Sequence, residues 1–181
     1  NFTMFGSITL NKVVGGIHPK AVDVALRLGA KVVWLPTQSA KNHMQKMNQD
    51  LSQSVEVVKD GKIVPELRSV LELIRDHNAV LGTAHIAPEE IFTVVEAARD
   101  MGVKNIVVTH PEWWIVGMSH EDQLRLVKDY DVILERCYAQ NMGGGKYKSN
   151  LADNLELIKE VGYKNVMVDT DGGQTENPHW E

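Results

Sequence analysis

Two histidines and an aspartate stand at equivalent places in the chain. His85 closes Thr83-Ala84-His85, His110 lies in Thr109-His110-Pro111-Glu112, and Asp171 ends Asp169-Thr170-Asp171. Each follows a short apolar run. Neutral imidazole nitrogens together with a carboxylate oxygen form a ligand set that suits zinc, manganese or iron. A metal held this way lowers the pKa of a bound water and polarises a carbonyl. A lone histidine at a strand end is more readily a hydrogen-bonded structural residue, so the expectation of a site rests on the three together. The other histidines carry less. His77 closes a helix before Asn78, where a contact with the helix dipole suits it, and His18, His43, His120 and His179 fall in loops or at helix starts.

Four further residues are candidates for holding a substrate. Asn11 follows the first apolar run and Thr37 the second. Trp113, beside Trp114, either walls a small-molecule pocket or packs its loop onto the next helix. Arg136 either grips a substrate carboxylate or pairs with Glu135, since alternation along a strand lets only one of two neighbours point inward.

The elements that must position these residues alternate. Apolar runs at 5–10, 31–36, 79–85, 105–110, 131–138 and 165–169 read as strands, apolar on both faces as in a covered parallel sheet. Helical periodicity separates them: Leu67, Val70, Leu71 and Ile74 repeat at i, i+3, i+4, i+7, as do Ile91, Val94, Val95 and Ala98. Pro19, Pro65 and Pro88 mark first turns, and Ser119 with Asp122 forms a capping-box-like pair. Gly29-Ala30-Lys31, Gly102-Val103-Lys104 and Gly162-Tyr163-Lys164 each join a helix to a strand. The pattern predicts a parallel α/β fold in one domain, 1–181, whose functional residues gather at the carboxyl ends of the strands. Residues 37–64 make a long connection, expected as a lid or a disordered segment, with a hairpin about Asp60-Gly61. Gly143-Gly144-Gly145-Lys146 lacks the spacing and the Ser/Thr of a phosphate loop and reads as a plain loop.

Composition narrows the partners. A net charge of −5 and the absence of a basic run argue against nucleic acid and anionic membranes and leave a small-molecule substrate. No apolar run is long enough to span a membrane. The single Cys137 has no internal disulfide partner, and with apolar Val132-Ile133-Leu134 before it, it predicts a buried strand and a cytoplasmic setting.

Several segments, taken in order, resemble the amidohydrolase superfamily of metal-dependent barrels and, more closely, an uncharacterised group within it. They are Gly15-Gly16-Ile17-His18-Pro19, Val33-Trp34-Leu35-Pro36-Thr37, Gly82-Thr83-Ala84-His85-Ile86, Val108-Thr109-His110-Pro111, Leu134-Glu135-Arg136-Cys137 and Thr170-Asp171-Gly172-Gly173-Gln174. The resemblance implies a TIM-type parallel (β/α) barrel in which this chain supplies about six of eight strands, numbered three to eight. It implies a His-x-His pair on the first strand, which this chain lacks. The missing strands and ligands are therefore expected from a preceding segment or another polypeptide, in a homo-oligomer or otherwise. It implies one divalent metal, zinc before manganese or iron, because Lys31 begins rather than ends the fourth strand and cannot bridge two. His85 and Asp171 are ligands in this mapping, with His110 a further ligand or a proton-transfer partner. Asp171 acts as general base, and Asp169 stays open as its alternative. The implied activity is hydrolysis of an amide, ester or related carbon electrophile. A metal-assisted lyase or decarboxylase on the same barrel, or a non-catalytic ligand-binding barrel, are the rivals.

Overall fold

The computed structural model describes residues 3–137 and 151–172. The glycine run at 143–146, and 173–181 with Gly173, Gln174 and His179, lie outside the described residues. The element order is β1 (Ser7–Thr9), α1 (Pro19–Arg27), β2 (Val32–Trp34), α2 (Lys41–Lys46), β3 (Val58–Lys59), β4 (Lys62–Ile63), α3 (Pro65–Asp76), β5 (Val80–Gly82), α4 (Pro88–Asp100), β6 (Asn105–Val108), α5 (His120–Tyr130), β7 (Ile133–Cys137), α6 (Leu151–Val161) and β8 (Val166–Asp169). The architecture is mixed α/β with a six-stranded parallel sheet, as in part of a TIM-type barrel. Within the span read as one domain, the chain forms two compact units, Asn1–Val107 and Val108–Glu181.

In the first unit the strands pair in the order β1-β2-β5-β6, all parallel. A doubly wound sheet reverses its strand order at a switch point; this one advances in chain order with no reversal, as a barrel does. The two helical repeats seen in the sequence are the packed faces. Leu67, Val70, Leu71 and Ile74 of α3 and Ile91, Val94, Val95 and Ala98 of α4 are all fully buried, each larger side chain contributing about 1.5–3 kcal/mol of apolar burial. The helix-to-strand glycines work as expected. Gly29 and Gly102 have φ of 100° and 86°, and at both the next amide reaches back five residues, Ala30 to Ala25 and Val103 to Ala98. Asn78 and Asn48 end α3 and α2 by the same device, with φ of 49° and 54° and Ala79 and Gln49 bonded to Ile74 and Met44.

Residues 37–64 hold α2, a 3-10 turn at Leu51–Gln53 and the antiparallel hairpin β3–β4. The hairpin turns at Asp60-Gly61 as the sequence suggests, pairing Val58 with Ile63 and Lys59 with Lys62, while Val55 bridges Ala40. In the second unit β7 and β8 pair in parallel, Glu135 opposite Met167 and Cys137 opposite Asp169. The expected Ser119 cap is present: its hydroxyl accepts the amide of Asp122 and begins α5. No helix among the described residues is long and apolar enough to cross a membrane.

Candidate functional site

In the first unit His85 sits one turn beyond β5, after Ala84, which holds a φ of 53°. Its backbone is fixed on both sides, its N–H donating to Pro36 O at 3.2 Å and its carbonyl accepting Asn42 Nδ2 at 3.0 Å. Its ring lies parallel to that of His43, centroids 4.8 Å apart and planes at 13°, with the two Nδ1 atoms 2.7 Å from each other. The sequence puts His43 in a loop or at a helix start; it is a buried residue in the first turn of α2, and burial lowers its pKa. Asn11 and Thr37 do come together, as their positions after successive strands suggest. The Asn11 carboxamide donates to Thr37 Oγ1 at 2.7 Å, and its oxygen accepts the amides of Thr37 and Ser39. Asn11 thereby ties the loop after β1 to the loop after β2.

The second unit holds His110, Arg136, Trp113 and Asp171. His110 is buried just past β6 with a φ of 25°, and the Trp113 ring meets its own edge-on at 4.8 Å. Trp113 is buried and meets Trp114 in the same manner. Asp171 is exposed, two residues past β8, at a φ of 40°. Positive φ is uncommon for Ala and His and costs on the order of 1–3 kcal/mol at each such residue; it tends to collect at functional sites. Here it marks the carboxyl ends of β5, β6 and β8.

The two faces of β7 separate Glu135 from Arg136. Arg136 is buried and pairs with Glu112, and its Nη2 donates to Gln123 Oε1 at 2.5 Å. The ion-pair partner is thus Glu112 rather than Glu135. With His120, Asn154 and Leu157 these residues line a cavity of about 160 Å³. Burial pushes the Glu112 carboxyl up and the Arg136 guanidinium down, against their mutual attraction.

On the other face, Glu135, Cys137 and Asp169 bring their donor atoms within 4.8 Å of one another. Glu135 is pushed up to about 9, first by burial, then by the charges of Asp169 and Asp171, while the His110 backbone N–H donates to it and pulls the other way. The Cys137 thiol is pushed up by burial and by the same carboxylates. Asp169 Oδ1 is buried with no hydrogen-bond partner. Two carboxyl groups, one of them with an orphaned oxygen, and a thiol fit a divalent cation of the kind that accepts both oxygen and sulfur. The sequence reading missed Glu135 and Cys137 as donors, although their spacing of two on one strand already places them on one face.

Residues 1–135 match the model of a family of unknown function, DUF6282. The chain belongs to this family. No curated protein matches it. Among solved structures, the DUF6282 chain is similar to an amidohydrolase from Pseudomonas aeruginosa, with a TM-score of 0.56 and 16% identity over 88% of this chain. At that identity the likeness is one of fold. This DUF6282 chain spans 48% of the length of that structure.

Proposed function

We propose that the protein is a metal-dependent hydrolase of the amidohydrolase type, acting on an amide, ester or related carbon electrophile of a small molecule. The observation that carries this reading is the crowding of Glu135, Asp169 and Cys137 at the carboxyl ends of β7 and β8, a donor set whose ionised forms only a bound cation would favour. In this reading one divalent metal, zinc first, is held by His110 and Asp171 of the second unit beside that cluster, and His85 of the first unit is a separate candidate ligand. The remaining ligands come from a segment of the same polypeptide or from another copy. When bound, the metal would activate water and polarise the scissile carbonyl. Asp171, exposed at its strand end, takes the proton of the attacking water, and the buried His110, walled by Trp113, supports the charge that develops. Asp169 stands as the alternative base.

A hydrolase is favoured over a decarboxylase by Arg136, which is engaged with Glu112 and Gln123 on the opposite face of β7 from Glu135. Asn11 and Thr37 shape the substrate end of the first unit through their shared hydrogen bonds, and the buried, lone Cys137 fits a cytoplasmic setting.

The test is metal analysis of the purified full-length protein, followed by hydrolysis assays over an amide and ester panel. About one zinc per polypeptide is expected, with Asp171→Asn lowering kcat by about a hundredfold or more. Full activity in a metal-free protein carrying His85→Ala would overturn the reading.

A further inference from the structure

We infer that Arg136 is a positioning residue that anchors the loop 110–118 near both of its ends and so keeps His110 in its strained backbone conformation. The inference rests on the role proposed for His110 in the reaction.

The loop begins at His110, whose φ of 25° lies where residues other than glycine are uncommon. A residue held this way persists only where its surroundings over-determine it. Within the loop the Trp113 amide donates to His110 O at 2.9 Å, and the Met118 amide donates to Pro111 O at 2.9 Å. These bonds close the loop on itself and give it a shape. They do not fix it to the sheet.

The anchors come from β7. Arg136 is buried, pairs with Glu112 near the start of the loop, and donates through Nη2 to Gln123 Oε1 at 2.5 Å. Gln123 of α5 in turn donates from Nε2 to Met118 O at 3.0 Å, at the end of the loop. One guanidinium thus reaches both ends of the same segment, directly and through one carboxamide, a task that its planar fork suits and a lysine ammonium does not. On the opposite face of β7 the neighbouring Glu135 accepts the His110 N–H. Consecutive residues of one strand therefore grip the loop from two faces, and the Trp113 ring, carried by the same loop, stands edge-on to that of His110. A buried ion pair adds little stability over apolar side chains of the same volume. What this one supplies is placement.

The test uses the full-length protein carrying Arg136→Met together with Glu112→Leu, which removes the anchor without leaving a charge buried and should fold. In the metal-free state its His110 ring protons, assigned by NMR through His110→Gln, should move away from the shift that the neighbouring Trp113 ring imposes. With a substrate from the amide and ester panel, kcat should fall by about ten- to a hundredfold at little changed KM. Arg136→Lys keeps a charge on Glu112 but loses the fork to Gln123, and should recover part of both. Gln123→Met cuts only the link to Met118 and should shift the same signals in the same direction by less, so it decides the matter where the double variant does not fold. His110 signals that stay in place in the folded variants overturn the proposal, because a pair that only stabilised the fold would change the thermal midpoint alone. If His110→Gln retains full kcat, the role of His110 in the reaction fails, while its ring signals still decide whether Arg136 positions it.

Discussion

Glu135 and Asp169 meet on one face of β7 and β8 while Arg136 is carried to the other, where it pairs with Glu112 and does not stand between the two carboxyl groups. The pH dependence of the metal-free protein follows from this. A carboxyl whose folded pKa is raised holds its proton after the unfolded chain has released its own, so native stability falls as pH rises between the two values. For Glu135 the window runs from its ordinary 4.5 to about 9. Urea unfolding of wild type and Glu135→Gln across that range should show the variant gaining relative stability as pH rises, and parallel curves would remove the effect. Little of this was legible in the sequence. Periodicity placed Glu135 and Arg136 on opposite faces, but the partner of each lies elsewhere in the chain, at Asp169 and Glu112, and no local pattern names it. The contact between His43 and His85 was obscured for the same reason, since the two lie far apart along the chain.

At the scale of elements, the strands and helix faces were legible because each is a local property, although the runs 79–85 and 105–110 overreach β5 and β6, so that His85 and His110 lie past the strands rather than on them. The stripes of α3 and α4 and the glycine ends at Gly29 and Gly102 appear where periodicity and turn chemistry put them. The asparagine ends at Asn48 and Asn78 were passed over, since Asn enters the left-handed region less often than Gly. A tighter constraint joins β2 and β5. Trp34 pairs with Gly82 across the sheet, and a Cβ on Gly82 would lie 2.0 Å from the Trp34 ring. Gly82→Ala must push that ring aside, at a cost of about 1–3 kcal/mol. Thermal unfolding should register it, along with a changed near-ultraviolet signal from tryptophan. An unshifted midpoint would mean that the ring moves freely.

For the whole molecule, periodicity sufficed for the parallel α/β character, while the choice of barrel over open sheet came from motif resemblance. The unreversed strand order of the first unit and the amidohydrolase-like fold agree with that choice. A metal bound only by the folded protein must stabilise all of it that unfolds cooperatively. Zinc at a hundred times its dissociation constant is expected to add about 2.7 kcal/mol. Calorimetry with and without zinc checks this, and a midpoint indifferent to zinc would separate the fold from the proposed metal.

The unreversed order also bears on how the chain comes together in time. Ser7 pairs with Val32 and Val80 with Asn105, partners separated by little more than one helix, whereas Val32 meets Val80 only after α2 and the hairpin have been traversed. Loop closure costs the far pairing about 0.6 kcal/mol more than the near ones, a modest bias toward the near pairs. During synthesis the residues of β1 and β2 are both made before those of β5, so the order in which partners become available follows the order of the sheet, with the segment that carries His43 made in between.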